Sequence, residues 1–226
     1  MIERVCIVGN GPSAEGRGDI IDACDFVVRM KDFWHCGAKT AGSRIDAHAY
    51  YGWWTTWPDD PCEGFEHWFT HCPGQLEHAG VPSWDRLYIL NTRATHQPIY
   101  WVWNELWTQL AESLDGDHPS TGFVCVGMAL ERFGKQLKEL VLYGFDSTTP
   151  EQPNFFDFDE QPKTRPYNIV HSMLHEKRLL AKLAAGQWLG KPCSVKLTWP
   201  DMPDMPPDLV DTRAARRRPR RHKGSQ

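Results

Sequence analysis

Three groups of residues have the types and spacing of a site that holds an anion and moves a proton. His171 heads the stretch His171-Ser172-Met173-Leu174-His175-Glu176, where an amphipathic helical pattern begins. A histidine at a helix start beside loops is well placed as a general base, because its intrinsic pKa of about 6.5 lies near working pH. The same position also suits a purely structural histidine. Ser120, Thr121 and Gly122 form a turn ahead of a second helical pattern. Their hydroxyls can cap that helix, and the free N–H groups of its first turn can bind an anion. The stretch IVGNGPSAEGRG places Gly9, Gly11, Gly16 and Gly18 around Asn10 and Ser13, directly after the apolar run Val5-Cys6-Ile7-Val8. In a strand, turn and helix context, small residues let backbone N–H groups approach phosphate oxygens. The spacing misses the dinucleotide fingerprint, and no Gly-Lys-Ser/Thr follows, which excludes a P-loop. On these grounds the loop is either a phosphate site or a plain tight turn.

Other clusters offer different chemistry. Asp157-Phe158-Asp159 has the form of an acidic pair that holds a metal and a diphosphate. Cys62, His67, His71 and Cys72 include zinc-ligand types, but their spacing matches no standard site. Trp53, Trp54 and Trp57 offer faces for stacking on sugar rings, or for packing on the sheet. Trp101, Trp103 and Trp107 read as core.

The elements that must position these groups follow from periodicity. Strands are predicted over 4–8, 26–29, 44–49, 86–90, 140–143 and 194–197, alternating with helices over 99–114, 122–133 and 169–189. Asp19 to Ala23 also suits a helix start. This alternation predicts an α/β, Rossmann-like, doubly wound and mainly parallel sheet flanked by helices in a single domain, with ligands at the carboxyl ends of the strands. Residues 50–83, rich in Trp, Pro and His, read as an excursion from the sheet, and 147–168 as a proline-broken loop. Residues 1–198 form the expected domain, and 199–226 a Pro- and Arg-rich basic tail expected to be disordered.

At 226 residues, 41% hydrophobic and 24% charged, the chain suits one soluble domain with a substantial core. No apolar run reaches the ~20 residues of a membrane span, and the first strand begins too early for a signal peptide. Seven cysteines without a CxxC pair fit a reduced, cytoplasmic protein. The net charge of −4 conceals a tail, Thr212 to Gln226, with seven Lys and Arg and no acid. Without those seven, 18 basic residues face 29 acidic ones, a charge of −11 on the body. Such a tail can contact an anionic membrane or nucleic acid weakly, leaving the protein cytoplasmic or peripheral at a membrane.

Taken together, four stretches resemble the sialylmotifs of the eukaryotic-type sialyltransferases, glycosyltransferase family 29. Val8-Gly9-Asn10, Gly18 to Asp22, Asp25-Phe26-Val27-Val28-Arg29 and Gly37-Ala38-Lys39-Thr40 are similar to the long motif. Pro119 to Gly122 and Tyr143-Gly144-Phe145 are similar to the short motif, and His171 with Glu176 to the last one. The Gly-Asn-Gly-Pro-Ser wording is closer to the bacterial sialyltransferases of family 42. The family's cysteine pair is replaced by Val5 and Phe133, its asparagine after the motif arginine by Lys31, and its phosphate-contacting histidine by Asn154.

The resemblance implies an inverting glycosyltransferase that moves sialic acid, or a related keto sugar acid such as Kdo, from a CMP-sugar to a hydroxyl of a glycan or glycolipid acceptor. It implies no cofactor and no metal, since a phosphodiester leaving group needs hydrogen bonds and dipoles more than a divalent cation. His171 is then the catalytic base. Substrate falls to Gly9, Asn10, Gly11, Pro12, Ser13, Arg29, Lys31, Ser120, Thr121, Gly122, Gly144, Phe145, Asp146 and Asn154. Glu176 becomes structural support, anchoring a neighbouring loop. Two alternatives stand beside this reading: a non-catalytic nucleotide-binding domain, and a metal-dependent transferase of nucleoside-diphosphate sugars using Asp157 and Asp159.

Overall fold

The computed structural model describes residues 1–30, 40–50, 64–70, 98–116, 118–145 and 173–200. Its strands are β1 (Arg4–Val8), β2 (Phe26–Met30), β3 (Ala47–Tyr50), β4 (Glu66–Phe69), β5 (Ile99–Trp101), β6 (Glu139–Tyr143), β7 (Gln187–Trp188), β8 (Lys191–Pro192) and β9 (Lys196–Thr198). The helices are α1 (Gly18–Asp22), α2 (Asn104–Ser113), α3 (Thr121–Phe133) and α4 (Met173–Ala184). Among the described residues seven strands form one parallel sheet in the order β5-β4-β3-β2-β1-β6-β9, and β7 and β8 form a small antiparallel hairpin. This is the predicted Rossmann-like α/β architecture.

Successive side chains of a strand point to opposite faces, so the apolar run of β1 supplies both cores. Val5 and Ile7 join Val28, Trp68, Leu140 and Leu142 under α2, α3 and α4. Cys6 and Val8 join Val27, Val141 and Tyr143 under α1. On the first of these faces, helix α3 is buried from Thr121 through Ala129, in keeping with a sequence that is apolar on nearly every side. It ends at Gly134, whose φ of 43° a β-carbon would disfavour.

Several expected boundaries move. The predicted helix over 99–114 divides into β5 and α2, because Ile99, Tyr100 and Trp101 pair in register with His67, Trp68 and Phe69. Strand β4 lies inside the stretch read as an excursion. Its polar residues hid it: Glu66 accepts two hydrogen bonds from Arg132 of α3, and His67 is buried. The Arg132 guanidinium also sits 5.0–5.7 Å from the ring centres of Tyr100, Phe133, Phe26 and Trp68, locking α3 to the sheet at the end opposite its N-terminus. Trp103, expected in the core, is 60% exposed, whereas Trp101 stacks on Phe69 at 4.0 Å. After α4 the chain turns at Gly186 (φ 84°) into the hairpin instead of remaining helical to residue 189. The predicted strand over 86–90 and the tail beyond residue 200 lie outside the described residues. No helix of the described residues is long and apolar enough to cross a membrane.

Arg29, assigned to substrate from the sequence, has another task. Its side chain is 2% exposed. Nε donates to the carbonyl of Arg44 and Nη2 to that of Ala41, each at 2.8 Å, with Asp22 Oδ1 at 3.6 Å. Asp22 accepts the N–H groups of Ser43 and Arg44. Burial pushes the Asp22 carboxyl up, but these bonds and the Arg29 charge outweigh it and hold the group below its usual value. Arg29 therefore braces α1 and the 41–44 segment against β2. Arg29→Met should lower the unfolding free energy by about 3 kcal/mol, since it strands two buried carbonyls and a carboxylate. Urea titration checks this, and an unchanged midpoint would refute the bracing role.

Candidate functional site

From β1 the connections run outward through β2, β3 and β4 to β5, and the chain then returns to place β6 on the other side of β1. The order reverses between β1 and β6, and in open parallel sheets that crevice, beyond the carboxyl ends of the strands, is where ligands sit. Four sequence-predicted pieces meet there: the loop after β1, the turn after β6, the start of α3 and, through Glu176, the start of α4.

The two strand-end loops cross in backbone contact. Gly9 N–H donates to the Tyr143 carbonyl at 2.7 Å, and Gly11 N–H to the Gly144 carbonyl at 3.0 Å. Gly144 N–H donates to Ser13 Oγ at 2.8 Å. A β-carbon on Gly9 would overlap the Gly144 carbonyl oxygen and reach within 2.9 Å of its carbon, while Gly144 itself has φ 72°. A β-carbon on Gly122 would meet the Phe145 ring at 2.9 Å. Glycine is needed here so that three chain segments can touch.

This geometry corrects one expectation. The amides of Gly9 and Gly11, read as phosphate donors, are engaged in extending the β1–β6 pairing. Ser13 is likewise a tie between the two loops, and Pro12 has no N–H and opens a short 3-10 turn at Pro12–Ala14. The amides of Asn10, Thr121 and Gly122 are among those that donate to no group among the described residues. The last two are open because the first N–H groups of a helix have no intrahelical acceptor. In the loop after β1, Asn10 Oδ1 is buried without a hydrogen-bond partner among the described residues.

Ser120 is the N-cap of α3, its Oγ accepting from Phe123 N–H at 3.2 Å. Its own position is set by Glu176, which is 4% exposed. Oε1 accepts the Ser120 N–H and Oε2 the Ser120 hydroxyl, each at 2.6 Å. Burial pushes the Glu176 carboxyl up to about 7, with the two Ser120 bonds pulling the other way. The loop-anchoring task expected of Glu176 is thus visible as a direct clamp between α4 and the start of α3. His175, one residue earlier, has Nδ1 3.8 Å from the Asp115 carboxylate.

Two residues missed in the sequence complete the floor. The Met30 methyl lies 3.1 Å from the β-carbon position of Gly9 and 3.4 Å from that of Gly122. Trp199, first residue of the expected tail, is 7% exposed and meets Phe145 edge-on at 6.5 Å. Its signal was its place directly after an edge strand. Lys31, Asp146, Asn154 and His171 lie outside the described residues, as do Asp157, Asp159, Cys62, His71 and Cys72. His67 is buried in the sheet against Phe65, and burial pushes its imidazole down to about 4. Among the described residues no three His, Cys, Asp or Glu side chains gather to hold a metal ion.

These features define a Rossmann-like α/β domain with backbone donors at the switch point of a parallel sheet. Among solved structures the fold is shared with sialyltransferases. A mammalian sialyltransferase matches with a TM-score of 0.57 and 18% identity over 87% of this chain and 68% of that one. The Campylobacter jejuni sialyltransferase CstII, in complex with cytidine-5'-monophosphate, matches with 0.55 and 14% identity over 87% and 79%. The monofunctional α-2,3-sialyltransferase Cst-I of the same organism matches with 0.54 and 16% identity over 81% and 72%. No protein-family model and no curated protein matches the sequence.

Proposed function

We propose that the protein is a sialyltransferase-like, inverting glycosyltransferase that takes sialic acid, or a related keto sugar acid, from a CMP-sugar. The observation that carries this reading is the set of amides at the N-terminus of α3 that donate to no group among the described residues, within a fold shared with sialyltransferases, one of them solved with CMP. The donor phosphodiester carries one negative charge and gains a second as the glycosidic bond breaks, and preoriented N–H groups stabilise that developing charge. The amides of Thr121 and Gly122 take that part, with Lys31 and Asn154 as further contacts. Asn10 Oδ1 accepts a hydrogen bond from the cytosine amino group or a ribose hydroxyl. His171 removes the proton of the acceptor hydroxyl as it attacks, and a single displacement inverts the anomeric carbon.

Because the proposed anion contacts are amides and side chains, CMP is expected to raise the melting temperature and EDTA to leave that rise unchanged. Release of CMP from CMP-sialic acid in the presence of a galactoside tests transfer itself. Stabilisation by UDP with manganese, and none by CMP, would move the reading to Asp157 and Asp159. CMP binding without transfer to any glycan would leave a nucleotide-binding domain.

A further inference from the structure

Glu176 and the proposed phosphate position share the first turn of α3. The carboxylate grips Ser120 through both oxygens, and the amides of the next two residues, Thr121 and Gly122, donate to no group among the described residues. We propose that anion binding at the start of α3 is linked to uptake of one proton by Glu176, so that this residue positions the turn and also makes the site's affinity depend on pH. The inference rests on the reading that the donor phosphate sits at this turn.

The physical basis is competition between two negative charges for one helix terminus. Ionised Glu176 lies at the positive end of the α3 dipole, on Ser120, the residue that precedes Thr121 and Gly122, in a place sheltered from water. An anion on Thr121 and Gly122 then faces a like charge at close range, and like charges at one site raise the proton affinity of the weaker acid. The carboxyl takes its proton from solvent. Once neutral, its carbonyl oxygen still accepts the Ser120 N–H, and its O–H can donate to Ser120 Oγ, so the turn survives. Burial has already brought this carboxyl to about 7, where a modest further rise changes its charge at neutral pH.

Among the described residues the other charged and titratable groups on the elements that meet at this turn are His175 and Lys177 on the same helix, and Asp115 and His118 from the segment before α3. Lys177 is 7% exposed, and His175 lies beside Asp115. The first two turns of α3 contribute only the buried thiol of Cys125, held protonated by desolvation. All of these remain in a Glu176→Gln variant, which copies the neutral acid in shape and bonding. The difference between the two proteins therefore isolates Glu176.

The test measures sulfate and CMP binding to the full chain by calorimetry from pH 6 to 8, in buffers of different ionisation enthalpy. Sulfate stays a dianion across that range. The wild type is expected to take up roughly half a proton per sulfate near pH 7 and to lose about tenfold in affinity between pH 6 and 8. Glu176→Gln should take up less and keep nearly its low-pH affinity. Equal proton uptake by both proteins, or no anion binding by the wild type, overturns the proposal. Should the variant not fold, zero proton uptake by the wild type still overturns it. Sulfate binding with Glu176-dependent uptake, but no CMP binding, supports this linkage and removes the CMP reading.

Discussion

Replacing His171 with alanine is expected to slow sugar transfer by about 10²- to 10⁴-fold while CMP binding persists. The residue stands two positions before α4, and that helix is fastened to the proposed phosphate turn by the Glu176–Ser120 clamp. General-base catalysis needs a base at a set distance from the donor, and the place of His171 in the sequence, directly ahead of a fastened helix, motivates the prediction. His175→Ala should cost much less, because that side chain lies beside Asp115 rather than in the clamp. Single-turnover transfer assays with both variants, alongside CMP titrations, separate the roles. If the two variants exchanged effects, the motif alignment would be wrong by one helical turn. If neither slowed transfer, the histidine mechanism would fail.

Gly9→Ala should remove about 3 kcal/mol or more of stability, and CMP binding with it. Its β-carbon would overlap the Gly144 carbonyl, which is backbone held by the β1–β6 pairing and cannot rotate aside. For a domain of this size that corresponds to a melting temperature lower by about 10 °C. Gly16→Ala is the control within the same loop. Gly16 has φ 71° but nothing within 4 Å of the added carbon, so the change costs about 1 kcal/mol of backbone strain. Equal melting temperatures for the two variants would contradict the close crossing of the strand-end loops.

Much of the scaffold was legible in the sequence because it is written locally. The unbroken run Val5 to Val8 specifies a strand covered on both faces, and that is where β1 lies. Ser120 ahead of a long apolar helix specifies an N-cap, and its hydroxyl makes that bond. The close succession of strand, glycines and α1 likewise marked the crevice. Patterns of this kind depend on neighbours within a turn or two of chain.

Other features were decided only by the tertiary structure, since they join residues far apart in the chain. Glu66 and His67 hid β4 until Arg132, 66 residues later, paired with the carboxylate and the sheet buried the imidazole. The bracing of Arg29 on the carbonyls of Ala41 and Arg44, 12 and 15 residues away, was likewise invisible in the sequence. Gly9 and Gly11 looked like phosphate donors, and pairing with the turn after β6 engaged their amides. Glu176 became a group titrating near 7 only when folding took it out of water and set it on Ser120, 56 residues away. Periodicity and capping are set by steric and hydrogen-bonding preferences of adjacent residues. Which donors stay open for a ligand, and which acid changes its charge near neutrality, depends on burial and on partners that only the fold brings together.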